Sequence, residues 1–84
     1  LALRPKVLLL DEPTTGLSQA DKHALAGLLR RIADHGVTVI LVEHDMGMIM
    51  SLSDHIVVLD AGRRIADGPP EAVRADPAVR KAYL

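Results

Sequence analysis

Two carboxylates in succession, Asp11 and Glu12, close the apolar run Val7-Leu8-Leu9-Leu10. Such a pair at the carboxyl end of a buried strand sits where open α/β sheets hold their ligands. In phosphoryl transfer the first acid of the pair holds Mg²⁺, directly or through water, and the second orients and deprotonates the attacking water. Strand side chains alternate, so Asp11 and Glu12 are expected to point in different directions and serve different partners. The competing reading is a solvated turn after a strand, because motifs this short have many false matches. His44 is the third reactive group. An imidazole at the start of the loop after a neighbouring strand can contact a terminal phosphate or hold the attacking water, in either protonation state. Its alternative role is as a partner for the adjacent Asp45 carboxylate.

Between these groups the chain reads Pro13-Thr14-Thr15-Gly16-Leu17-Ser18. This is a turn in which Gly16 supplies backbone freedom and Ser18 caps the following helix, with Asp21 completing a variant of the capping box. Capping alone accounts for Ser18.

The elements that must position these residues follow from periodicity. Val7 to Leu10, punctuated at its start by Arg4-Pro5-Lys6, has the pattern of a strand buried on both faces of a parallel sheet. From Gln19 to His35, residues Ala20, Ala24, Leu25, Leu28, Leu29, Ile32 and Ala33 recur at helical spacing, and Gly36 ends the helix. Gly27 weakens that helix by about 1 kcal/mol relative to Ala. Val37 to Val42 is a second buried strand, rich in β-branched residues. A strand, helix and strand in this order predict a right-handed βαβ unit with parallel neighbours. Asp11, Glu12, Glu43 and His44 then share one sheet edge, with His44 near Glu12. A short helix, Met46 to Leu52, is capped by Asp45, and His55 to Asp60 and Arg63 to Ala66 form a hairpin about Ala61-Gly62. Pro69-Pro70 starts a small helix through Ala75, and Asp76-Pro77 caps a last one to Leu84. In these last helices Ala72, Val73, Val79, Ala82 and Tyr83 are expected to pack against their own domain.

Composition bounds the rest. Ten basic and eleven acidic side chains leave a net charge of −1, which gives no field to attract nucleic acid or acidic lipid. Without cysteine there is no disulfide scaffold or thiolate metal site. No apolar run approaches the roughly 18 residues of a membrane span. Tyr83 is the one aromatic residue, so the core is expected to be aliphatic. No repeat or linker divides the chain, so it reads as one unit. It opens at Leu1 rather than Met, in mid-pattern, which leads to the expectation that an upstream part precedes it.

Taken together, Val-Leu-Leu-Leu-Asp-Glu-Pro-Thr at 7 to 14, Thr-Gly-Leu-Ser at 15 to 18 and Val-Glu-His-Asp-Met at 42 to 46 resemble the Walker B, D-loop and H-loop of ATP-binding-cassette (ABC) ATPases. Three motifs in order are far more specific than one. The resemblance implies a partial P-loop NTPase (RecA-like) α/β fold: a parallel sheet with flanking helices, then a β-hairpin and short helices. It further implies Asp11 as the Mg²⁺-associated acid, Glu12 as general base and His44 as the switch histidine beside the γ-phosphate of ATP. Gly16, Leu17 and Ser18 match the D-loop, which in this family crosses a dimer interface towards the partner's nucleotide. The commonest D-loop has Ala and Asp where this chain has Gly16 and Ser18, so no carboxylate role is implied at 18.

The stretch Ser53 to Gly68 and the ending Asp-Pro-Ala-Val-Arg-Lys-Ala-Tyr-Leu are similar to ATP-binding subunits of branched-chain amino-acid importers. Subunits for urea uptake and lipopolysaccharide export share much of that ending. By this resemblance residues 1–84 are the C-terminal part of one nucleotide-binding domain. It works at the cytoplasmic face of the cell membrane, with transmembrane permease subunits and a second ATP-binding subunit, identical or paralogous. A Walker A loop requires Gly-Lys, and none of the six glycines precedes a Lys. The signature motif and Q-loop are likewise not among these residues, so the 84 residues alone are expected to be inactive. Two alternatives stand beside a transport ATPase: a cassette of a DNA-repair or translation ATPase, and a truncated relic without catalysis.

Overall fold

A computed structural model describes residues 6–84; the Arg4-Pro5 punctuation lies outside the described residues. The element order is β1 (Lys6–Asp11), α1 (Gln19–Asp34), β2 (Val37–Val42), α2 (Met46–Leu52), β3 (Ile56–Asp60), β4 (Arg63–Gly68), α3 (Pro70–Ala75) and α4 (Pro77–Tyr83). These elements form two compact units, Leu1–His44 and Asp45–Leu84.

The first unit is the expected βαβ arrangement. β1 and β2 pair in parallel from Lys6↔Val37 to Asp11↔Val42, and α1 packs on β2. Ser18 caps α1, its Oγ accepting from Asp21 N at 3.1 Å. The helix stops two residues before β2 because Gly36 takes a φ of +95°, a conformation open to glycine, and its N–H returns to Ala33 O at 3.0 Å. Leu29 is the apolar residue that α1 buries fully.

Burial on both faces of the strands is corrected by this structure. Exposure alternates along β1 and β2, so Leu8, Leu10, Val39 and Leu41 are partly covered while the other face is open. Val7 is 62% and Leu9 64% exposed, with Ile40 and Val42 about half exposed on the same side of the register. The reason is geometric. A single crossover helix shields one face of a sheet, and the strands carry apolar residues on both.

The second unit holds an aliphatic core, as the composition requires. Met48, Ile49, Ile56, Val58, Val73 and Val79 are buried, and α3 sits among α2, α4, β3 and β4. β3 and β4 run antiparallel and turn through Ala61 and Gly62, both at positive φ (51° and 76°), as a primed two-residue turn demands. β4 extends two residues beyond the expected Ala66 and carries a bulge at Ile65, where the partner of the β3 strand jumps from Ala66 to Arg64. Asp76 caps α4 through Ala78 N at 2.8 Å. Of the five apolar residues expected to pack here, Val73 and Val79 do so fully, whereas Ala72, Ala82 and Tyr83 are exposed. The Tyr83 hydroxyl donates to Leu59 O. Among the described residues no helix is long and apolar enough to cross a membrane.

The open apolar strip on β1 and β2, with both strands at sheet edges, sets an expectation for the isolated segment. On its own, the 84-residue chain should self-associate, giving a light-scattering mass above the 9.0 kDa monomer. A monodisperse monomer with a cooperative thermal transition would contradict this.

Candidate functional site

The parallel register ends both strands together, at Asp11 and Val42. One further bond, Glu12 N to Val42 O at 2.7 Å, carries the pairing into the loops. Glu12 then leaves the strand with a φ of +49°. For a residue with a Cβ this left-handed conformation costs on the order of 1 kcal/mol. It turns the chain sharply into Pro13 and Thr14, and Thr15 N returns to Glu12 O at 3.4 Å.

The expected proximity of His44 and Glu12 is observed. His44 Nδ1 lies 3.2 Å from Glu12 Oε1, and the side chains are 71% and 53% exposed, so both remain reachable by a ligand. With Glu12 ionised, this contact requires a proton on Nδ1 and leaves Nε2 as the ring atom for a second partner. Asp11 is exposed at the strand end. The Asp45 carboxylate, considered above as a partner for His44, caps α2 by accepting from Met48 N at 3.2 Å.

Gly16, Leu17 and Ser18 lie in the turn between β1 and α1. Gly16 has a φ of +80° and open space where a Cβ would stand, so conformation rather than room selects glycine. Leu17 N donates to Thr14 O at 3.0 Å, and Ser18 acts as the helix cap. The structure therefore brings Glu12 and His44 into contact and places residues 16–18 on the turn that leads away from them.

Sequence reasoning passed over a pair at the centre of the site. Thr14 is buried and its Oγ1 donates to Glu43 Oε2 at 2.6 Å, while Thr14 N donates to the same oxygen at 3.2 Å. The other carboxylate oxygen, Oε1, accepts from His44 N at 3.2 Å. The Glu43 side chain is only 1% exposed. An acid directly after a run of strand residues and before the reactive histidine was the available signal, but a carboxylate at a loop start is ordinarily solvated.

Among the described residues no group of three or more His, Cys, Asp or Glu side chains is placed to hold a metal. The exposed Asp11 suits an ion that takes one carboxylate from the protein and keeps water and phosphate oxygens as its other ligands, which is the ordinary habit of Mg²⁺.

Residues 63–84 match the family described as "Branched-chain amino acid ATP-binding cassette transporter". The chain is 50% identical, over 82 residues, to the high-affinity branched-chain amino acid transport ATP-binding protein BraF of Pseudomonas aeruginosa, covering 96% of this chain and 32% of that protein. Among solved structures it resembles MJ1267, an ATP-binding cassette of an ABC transporter in its ADP conformation, with a TM-score of 0.81 and 28% identity over 94% of this chain and 33% of the other. It also resembles UvrA2 from Deinococcus radiodurans, with a TM-score of 0.74 and 32% identity over 84% of this chain and 9% of that one. The chain spans about a third of the length of the curated relatives it matches.

The cap geometry separates two substitutions at position 18. Ser18→Ala is expected to lower unfolding free energy by about 1 kcal/mol, and Ser18→Asp, an equally good cap, by much less. Denaturant titration of the two variants checks this; equal losses would remove the capping role.

Proposed function

We propose that the chain belongs to the ATP-binding-cassette family and forms the catalytic edge of an ATPase subunit, in which Glu12 and His44 act together on ATP. The observation that carries this reading is the 3.2 Å contact between His44 Nδ1 and Glu12 Oε1 at the common carboxyl edge of two parallel strands. In this reading Glu12 orients a water molecule in line with the γ-phosphate and takes its proton as the water oxygen bonds to phosphorus and the bond to the ADP oxygen breaks. His44 donates from Nδ1 to Glu12, which holds the carboxylate in place, and presents Nε2 towards the transferred phosphoryl group. Asp11 would hold Mg²⁺, directly or through water, and the ion when bound offsets charge on the β- and γ-phosphates.

This reading requires a phosphate-binding loop in addition to Asp11, Glu12 and His44. A Gly-Lys cradle for the phosphates is needed, and none of the glycines here is followed by Lys. Residues 16–18 would then face the nucleotide of a second cassette, with Ser18 serving its own helix rather than supplying a carboxylate. Identity to BraF at 50%, together with the family match over residues 63–84, supports import of branched-chain amino acids through separate transmembrane permease subunits. In this reading the chain works at the cytoplasmic face of the membrane. UvrA2 shares the fold at lower identity, over a smaller share of this chain. The transport reading is therefore preferred to a cassette of another ABC ATPase.

Two outcomes are expected. In the whole protein with Mg²⁺, Glu12→Gln should reduce ATP turnover by about 100-fold or more while nucleotide binding is retained. Unchanged turnover would make Glu12 a strand-end carboxylate and end this reading. The 84-residue chain alone should release no phosphate from ATP; hydrolysis that Glu12→Gln removes would overturn the need for an upstream cradle.

A further inference from the structure

Resting on the hydrolysis reading above, we propose that Glu43 is a positioning residue that clamps the loop after β1 to the loop after β2 and so fixes His44 against Glu12. A carboxylate removed from water is strongly disfavoured unless donors replace its hydration. At Glu43 they do: Oε2 accepts from both Thr14 Oγ1 (2.6 Å) and Thr14 N (3.2 Å), and Oε1 accepts from His44 N (3.2 Å). Thr14 and Glu43 lie 29 residues apart in the chain, on different loops. One anchor point, Thr14, lies two residues after Glu12; the other is the backbone of His44 itself. The clamp therefore brackets the Glu12–His44 contact on both sides.

Glu43 is unsuited to a direct chemical role. Its side chain is 1% exposed and its oxygens face protein donors, so no water or phosphate reaches it. Thr14 is in the same position, since it is buried and its hydroxyl proton is committed to Glu43. Their influence on chemistry has to pass through the geometry of Glu12 and His44. Misplacement of a catalytic group by about 1 Å can cost on the order of 100-fold in rate.

The chemistry of the clamp also orders the substitutions. Thr14→Val keeps shape and removes the hydroxyl donor. Thr14→Ser keeps the donor. Glu43→Gln keeps size, but an amide cannot accept on both sides, so either the Thr14 donors or His44 N would face an N–H group.

The test uses the whole protein with Mg²⁺ and ATP. Thr14→Val is expected to lower kcat by about 10-fold or more with KM for ATP changed by less than about twofold, and Thr14→Ser to restore turnover. The double variant Thr14→Val with Glu43→Gln should be little worse than either single one, because all three break the same clamp. Should Thr14→Val fail to fold, Glu43→Gln carries the same expectation. Turnover left unchanged by either variant, or a loss that Ser fails to restore, overturns the proposal. A second readout is independent of hydrolysis: the backbone amide resonance of His44 should move in Thr14→Val and return in Thr14→Ser. If Glu12→Gln leaves turnover intact, the hydrolysis reading has failed, and an unmoved His44 amide in Thr14→Val would separately overturn the clamp.

Discussion

Parallel pairing of β1 with β2 in the register that sets Asp11 opposite Val42 is the constraint from which the arrangement of reactive groups follows. Antiparallel strands would put the residues after β1 and after β2 at opposite ends of the sheet. Parallel strands joined by a helix bring both exits to one edge. The register then decides which residues meet. Glu12 is the first residue beyond β1 and His44 the second beyond β2, and the additional bond from Glu12 N to Val42 O carries the ladder to the point where the two side chains touch. A slip of one residue would turn each side chain to the other face and separate the pair.

The site combines exposed polar side chains with a buried support. Glu12 and His44 are open to solvent, where a ligand can reach them, while Glu43 lies beneath with its charge surrounded by three donors. An exposed side-chain contact alone contributes little and holds its geometry loosely. A desolvated carboxylate with good hydrogen bonds is costly to form and correspondingly costly to disturb, which makes it an effective way to hold two loops together. The left-handed Glu12 is consistent with such support, since strain of this kind persists where neighbouring structure over-determines it.

The two units differ in how far their own residues satisfy them. Asp45–Leu84 buries six aliphatic side chains among two strands and three short helices, with caps at Asp45 and Asp76. Leu1–His44 covers its sheet on one face and leaves Val7, Leu9, Ile40 and Val42 open on the other. The strip is as apolar as the covered face, a composition suited to a sheet with layers on both sides. The relatives this chain matches are about three times its length.

Local chemistry made much of this legible from sequence. Ser18, Asp45 and Asp76 mark helix starts because a short polar side chain reaches the free N–H groups of a first turn. Gly36 and Gly62 mark a stop and a turn because they accept positive φ. The order strand, helix, strand, with Asp-Glu after one strand and His after the other, was sufficient to anticipate the Glu12–His44 contact, since crossover topology leaves few alternatives. Tertiary structure alone decided the rest. Burial is a property of what stands on each face of a sheet, so the runs in β1 and β2 read the same whether one face or both are covered. The bulge at Ile65 and the pairing of Thr14 with Glu43 depend on residues brought together from distant positions. No spacing rule distinguishes a glutamate that three donors will enclose from one that water will solvate.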